Sequence, residues 1–287
     1  MDELYSRVSE ITKQALYSFI KEEEISTLNY KFHYYFDYCI RENNIQVISH
    51  HFSNHKIEGL TVIDELGTSF SYEKDNPVTK RHFTLCHELG HFILKHDGSY
   101  FTESVDNQES VSEREANIFS AIILMPDIVL LSKIYYSCDS FQKLKEDLEV
   151  SKQALYFRLI GLLRHYELDD ESAIKQAVEE YLDGHNTSLH QYFHRIKETL
   201  IVEFNQYQPP LLARIEKKMK QTNFVTSQEL PELIDQNNWS ELRESINNLK
   251  IWLIYNKGKS IAYAWDSTKL SELEARKKAE LQLLLML

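Results

Sequence analysis

Residues 84–96 read TLCHELGHFILKH, with His87 and His91 four positions apart, Glu88 directly after the first, and Leu85, Leu89 and Phe92 recurring at helical spacing. On a helix, side chains four apart lie one above the other on the same face. Two imidazoles can therefore reach a single ion, while Glu88, about 100° further round, hangs beside it. This is the HExxH arrangement: two zinc ligands and a carboxylate placed to take a proton from water. It requires a helix with a polar stripe inside an apolar run, and a second element to complete the ligand set.

Two other histidine pairs share the spacing, His51/His55 and His190/His194, but neither has a glutamate after its first member. The first lies in a strand-like stretch, where positions four apart are about 13 Å apart. Both read as structural. Gly90 within a helix costs about 1 kcal/mol relative to alanine, which a close approach of backbone or ligand would explain. Cys86 points about 100° away from His87 and reads as a small buried apolar group.

The third ligand has several candidates downstream: His96, Asp97, Glu103, Asp106, Glu109, Glu113 and Glu115. His96 is five positions past His91, about 140° off its face if the helix continues. Glu113 and Glu115 open the next helix, SEREANIFSAIILMP, and only one of them can face the ion. Each also fits a capping box, Ser110-x-x-Glu113 and Ser112-x-x-Glu115, in which the glutamate only bonds back to the helix start. Glu113 shares a face with Ala116, Asn117 and Ser120, small residues that admit a neighbouring helix. Spacing alone leaves the two open.

Around this centre, residues 2–24 carry helix-like apolar spacing, and residues 46–72 switch to short β-branched and aromatic runs divided by Asn54, Gly59 and Gly67. These predict a small, twisted antiparallel sheet. Asn76-Pro77 opens the HELGH helix, and Asp97-Gly98 stops it. A polar loop follows to Ser110. Residues 141–163 read as two short helices joined at Glu149-Val150-Ser151, like a helix-turn-helix. Pro209-Pro210 is the best linker; beyond it three helical stretches precede two β-like runs, a winged-helix order.

The expected fold is α+β: a mainly helical domain over 1–165 with a small antiparallel sheet, a helical connector over 166–207, and a helical, winged-helix-like domain over 208–287. The chain's 287 residues, 43% of them hydrophobic, suffice for two cores. A net charge of -12, from 44 acidic and 32 basic side chains, gives no global attraction to a phosphate backbone. Three widely spaced cysteines argue against a disulfide framework and a thiolate zinc site, and no apolar stretch approaches the roughly 20 residues that span a bilayer. A soluble, cytoplasmic protein without a membrane partner is expected.

RHFTLCHELGHFILKH, EREANIFSAIILMP and LEVSKQALYFRL together resemble the ImmA/IrrE-type metallopeptidases. Arg81, Phe83, Glu113, Ala116, Asn117, Phe119 and Leu124-Met125-Pro126 occupy the places of that family's linked motifs, with Ser120 where alanine is usual. The resemblance covers roughly residues 30–165. It implies His87, His91 and Glu113 as the ligands of one zinc ion, Glu88 as general base, and Glu113 over Glu115. It also implies an endopeptidase whose partner is a helix-turn-helix repressor of a mobile element or stress regulon.

The carboxylate ligand leaves Mn2+ or Fe2+ as other occupants. Tyr100, His96 and His82 are candidates for an oxyanion donor. An alternative function is a zinc-containing regulator that binds a repressor or DNA without cutting. Direct DNA contact would draw on Arg243, Asn247, Asn248 and Lys250, or on the hairpin tip at Lys257 and Lys259.

Overall fold

A computed structural model describes residues 3–52, 57–65, 67–96, 100–104 (backbone only), 110–166, 170–256 and 258–285. Asn54, His55, Asp97, Gly98, Asp106, Glu109, Lys257 and the side chains of Tyr100 and Glu103, all named above, lie outside the described residues. The chain divides into two units, Met1–Gln208 and Pro209–Leu287.

In the first unit, α1 (Glu3–Glu22) and α2 (Phe32–Glu42) lead into strands β1 (Gln46–His50), β2 (Ile57–Asp64) and β3 (Gly67–Glu73). Helix α3 (Val78–Ile93) carries the HELGH run, and β4 (Tyr100–Ser104) precedes α4 (Val111–Leu124). Then come α5 (Asp127–Leu131), a π-helical turn (Ser132–Tyr136), α6 (Phe141–Asp147), α7 (Lys152–Tyr166), α8 (Glu171–Leu182) and α9 (Thr187–Gln206).

The sheet order is β1-β3-β2-β4. β2 runs antiparallel to both β3 and β4, but β1 pairs parallel with β3, Val47 facing Phe70, so the sheet is mixed rather than purely antiparallel. β4 occupies what reads as a polar loop in sequence. An edge strand has one hydrogen-bonded neighbour and needs no apolar alternation. A register shift falls between Ile57 and Gly59 on β2; Gly59 and Thr61, two apart, share one strand face.

Helices α3 and α4 pack closely because both are small at the crossing. A Cβ on Gly90 would lie 3.1 Å from Ala116 Cα and 3.2 Å from the Phe119 ring, so the expectation of a close approach at Gly90 is met by a helix backbone. The core below gathers Leu16, Tyr17, Phe119, Ile123, Leu159 and Phe193, all buried. Tyr181 of α8 and Phe193 of α9 belong to this same core. The helices over 166–207 are thus built into the first unit and do not stand apart as a connector.

The run Val111–Tyr136 is long and apolar enough to cross a membrane by length and composition, against the expectation that no such stretch exists. Its apolar side chains serve the core instead, with 78% of its most apolar window buried.

Within that core lies a charged cluster. Asp127, fully buried, is 2.6 Å from Lys13 Nζ and ion-paired to Arg158, while Lys13 also meets Glu203 at 3.0 Å. Tyr166 donates to Glu203 at 2.5 Å. Two cations and two carboxylates balance, which is what makes such burial tolerable.

The second unit runs α10 (Leu211–Thr222), β5 (Phe224–Thr226), two 3-10 turns (Pro231–Ile234 and Gln236–Asn238), α11 (Trp239–Ser245), β6 (Leu249–Asn256), β7 (Lys259–Asp266) and α12 (Glu272–Leu285). Its sheet is antiparallel, ordered β5-β7-β6. β7 is buried on both faces. Ala262 and Ala264 meet the cluster of Ile215, Leu233 and Leu242, while Ile261, Tyr263 and Trp265 meet Ala275, Ala279 and Leu283 of α12. The expected middle helix is reduced to 3-10 turns, Pro231 opening the first, and β5 and α12 are additions to the expected order. The winged-helix likeness rests on element order alone.

Candidate metal centre

His87, Glu88 and His91 are buried on α3, and Glu113 reaches across from the first turn of α4. His87 Nε2 lies 3.0 Å from Glu113 Oε2 and 3.0 Å from His91 Nε2; His91 Nε2 is 3.4 Å from Glu113 Oε1. The three ligand atoms fall within 4.8 Å of one another. Only half of the capping box forms: Ser110 Oγ accepts from the Glu113 backbone N–H at 3.2 Å, and the Glu113 carboxylate turns to the histidines.

The outer ring nitrogens are occupied. His87 Nδ1 is 3.0 Å from Asn117 Oδ1, and His91 Nδ1 is 2.8 Å from His96 Nδ1. His96 Nε2 in turn meets Glu115 Oε2 at 2.8 Å, and Glu115 is ion-paired with Arg7. A neutral His87 that donates from Nδ1 to Asn117 leaves the Nε2 lone pair aimed at a carboxylate and at a second imidazole. Such converging electron pairs suit a divalent cation, and the partners behind them are the kind that fix ligating imidazoles.

The electrostatics agree. Burial, then the neighbouring His87, lowers the His91 pKa to about 3, so this imidazole is neutral at pH 7. The contact with His87 holds the Glu113 carboxyl below the usual carboxylate range against the opposing effect of burial. Two imidazole nitrogens and an ionised carboxylate form a ligand set that suits Zn2+ and also the harder Mn2+ and Fe2+.

Glu88 is fully buried beside the cluster, and Thr61 on β2 donates to its Oε2 at 2.5 Å. Gly59, on the same strand face, leaves the room: a Cβ there would collide with Glu88 Oε1 and Thr84 Cγ2. The carboxylate is thereby held by a strand while its two histidine neighbours are held by a helix pair.

Other sequence candidates fall elsewhere. Glu115 joins the centre only through His96, and His96 backs His91. His82 faces His33 and Glu149. Cys86 is buried with its thiol pKa pushed up by burial. His190 and His194 flank Tyr135, one stacked on its ring at 4.5 Å, the other bonded to its hydroxyl at 2.8 Å. Thr61 and the His96–Glu115 pair were missed in the sequence; a strand threonine carries no signal there.

An open cleft of about 750 Å³ runs beside the centre between α3, α4 and α7, with Phe83, Asn117, Ile118, Ala121 and Phe157 on its walls. Asn117 faces both the cleft and His87.

A helix-borne HExxH with a glutamate from the following helix defines a metallopeptidase-type centre. Residues 40–160 match the family model of the IrrE N-terminal-like domain, a peptidase family, which supports the resemblance to the ImmA/IrrE-type metallopeptidases. Comparison with the curated proteins and with the solved structures finds no match.

Proposed function

We propose that this protein is a zinc-dependent endopeptidase that cuts a protein partner, with His87, His91 and Glu113 holding the metal and Glu88 as general base. The observation that carries this reading is the convergence of those three ligand atoms beside a buried carboxylate anchored by Thr61. A divalent ion in this ligand set supplies Lewis acidity toward a peptide carbonyl and toward water. Asn117 and His96 fix the orientation of the two imidazoles. Glu88 accepts the proton of the attacking water and returns it to the leaving amine, and Thr61 holds Oε2 so that one carboxylate oxygen stays directed at the reacting groups.

The cleft beside Asn117 and Phe83 is apolar along much of its wall and suits an extended or helical peptide segment. A helix-turn-helix transcriptional repressor, cut in the cytoplasm, is the partner we assign from the family resemblance. Arg243, the main candidate for reading a base edge, is committed within the second unit: it donates to Ile251 O at 2.8 Å and lies over the Trp239 ring at 5.4 Å. That favours a protein partner over DNA.

The test is Glu88→Gln, incubated with purified helix-turn-helix repressors and followed by mass spectrometry of the products. Zinc content is expected to stay at the wild-type level while cleavage disappears. Cleavage at the wild-type rate by this variant overturns the assignment.

A further inference from the structure

We infer that the chain has a second divalent-metal site, formed by His33, His82 and Glu149, that joins α2, α3 and the turn between α6 and α7. It is independent of the peptidase reading. Glu149 Oε2 lies 3.5 Å from His33 Nε2 and 3.5 Å from His82 Nδ1, and the three ligand atoms fall within 4.8 Å of one another. Ligands at about 2.0–2.2 Å from a tetrahedral zinc stand roughly 3.4 Å apart, so both nitrogen–oxygen edges already fit. His33, half exposed at 43%, has the freedom to close the remaining edge.

Two further observations point to a ligand. His82 is 89% buried at its side chain, yet its Nδ1 makes no hydrogen bond, a condition polar atoms in a protein interior rarely tolerate. Burial, then His33, lowers its pKa, leaving a neutral imidazole with an electron pair to give. Glu149 sits in the left-handed region at φ 55°, just past the end of α6, where Val150 N–H bonds back to Lys145 O at 3.2 Å. Glycine adopts that conformation without strain and is the usual residue there. A glutamate in its place is explained if the side chain has work to do.

Lys31 Nζ lies 3.5 Å from Glu149 Oε1, the other carboxylate oxygen. It opposes chelation by both oxygens and leaves Oε2 as the single donor. The remaining cluster of this type outside the centre, among the described residues, is His51, Glu73 and Asp75. There the Glu73 carboxylate accepts from Phe52 N–H at 2.7 Å and Asp75 N–H at 3.1 Å, so it serves to brace a loop.

The experiment is zinc binding to the full-length, chelator-stripped protein, read by elemental analysis after dialysis and by the zinc-induced shift in melting temperature. In a His87→Ala background, which removes the first centre, about one zinc per chain is expected to remain. Adding His33→Ala or Glu149→Gln should abolish it. Glu149→Gly relieves the backbone and should raise the melting temperature without zinc while losing the zinc-induced shift. Retention of zinc by the double variants, or none bound by a folded His87→Ala protein, overturns the proposal.

Discussion

Thr61 Oγ1 donates to Glu88 Oε2 across 2.5 Å, joining the second strand of the sheet to the centre of the HELGH helix. Both residues are fully buried. Replacing the hydroxyl by a methyl removes a charge-assisted donor from a fully buried carboxylate. Thr61→Val should therefore lower stability by about 1–3 kcal/mol in urea unfolding, with zinc content unchanged. An unaltered midpoint would show that the bond contributes nothing.

His96 and Glu115 act on the centre from behind His91. His96→Ala should keep the metal stoichiometry but weaken zinc affinity about 10- to 100-fold in competition with a chromophoric chelator. Glu113→Ala should lose the metal bound at His87 and His91, and Glu115→Ala should keep it. Loss in Glu115→Ala equal to that in Glu113→Ala would reassign the third ligand.

The α3–α4 crossing has no space for a methyl group at Gly90. Alanine gains about 1 kcal/mol of helix propensity, but its Cβ meets a backbone atom at 3.1 Å, which cannot rotate away. Gly90→Ala should be destabilising by about 1–2 kcal/mol and reduce zinc affinity by separating Glu113 from the histidines. A rise in stability would mean the helices part without penalty.

Acid should unfold the first unit partly through Asp127. Burial alone would raise its pKa, but Lys13 and Arg158 hold it well below the usual range. A depressed carboxyl contributes stability that is complete above the unfolded pKa near 4 and is lost as pH falls through the folded value. Asp127→Asn should lose about 3–5 kcal/mol at pH 7, because buried Arg158 loses its carboxylate partner and buried Lys13 keeps only Glu203, and should show a shallower further loss from pH 4 to pH 2. Guanidinium unfolding across that range measures both.

Much of the centre was legible because its chemistry is local. Four residues of helix set the two histidines on one face, and the motif resemblance singled out Glu113 where capping-box arithmetic left two choices. His96 was misjudged because the projection assumed a continuing helix. α3 ends at Ile93, Lys95 takes φ 57°, and the reversal brings His96 back onto His91. Thr61, the parallel pairing of β1 with β3, and the edge strand β4 depend on contacts between distant segments that no local period encodes. The His33–His82–Glu149 group was invisible for the same reason: its members come from three elements.

The buried cluster of Lys13, Asp127, Arg158 and Glu203 has a consequence for synthesis on the ribosome. Its members span residues 13 to 203, and two of them lie outside the 40–160 stretch that matches the family. A nascent chain that has not yet released Glu203 carries a surplus positive charge in what will become its interior. Consolidation of the first unit must await α9, which carries Glu203, so the His87–His91–Glu113 centre is set in place late in translation rather than as soon as its own motifs emerge.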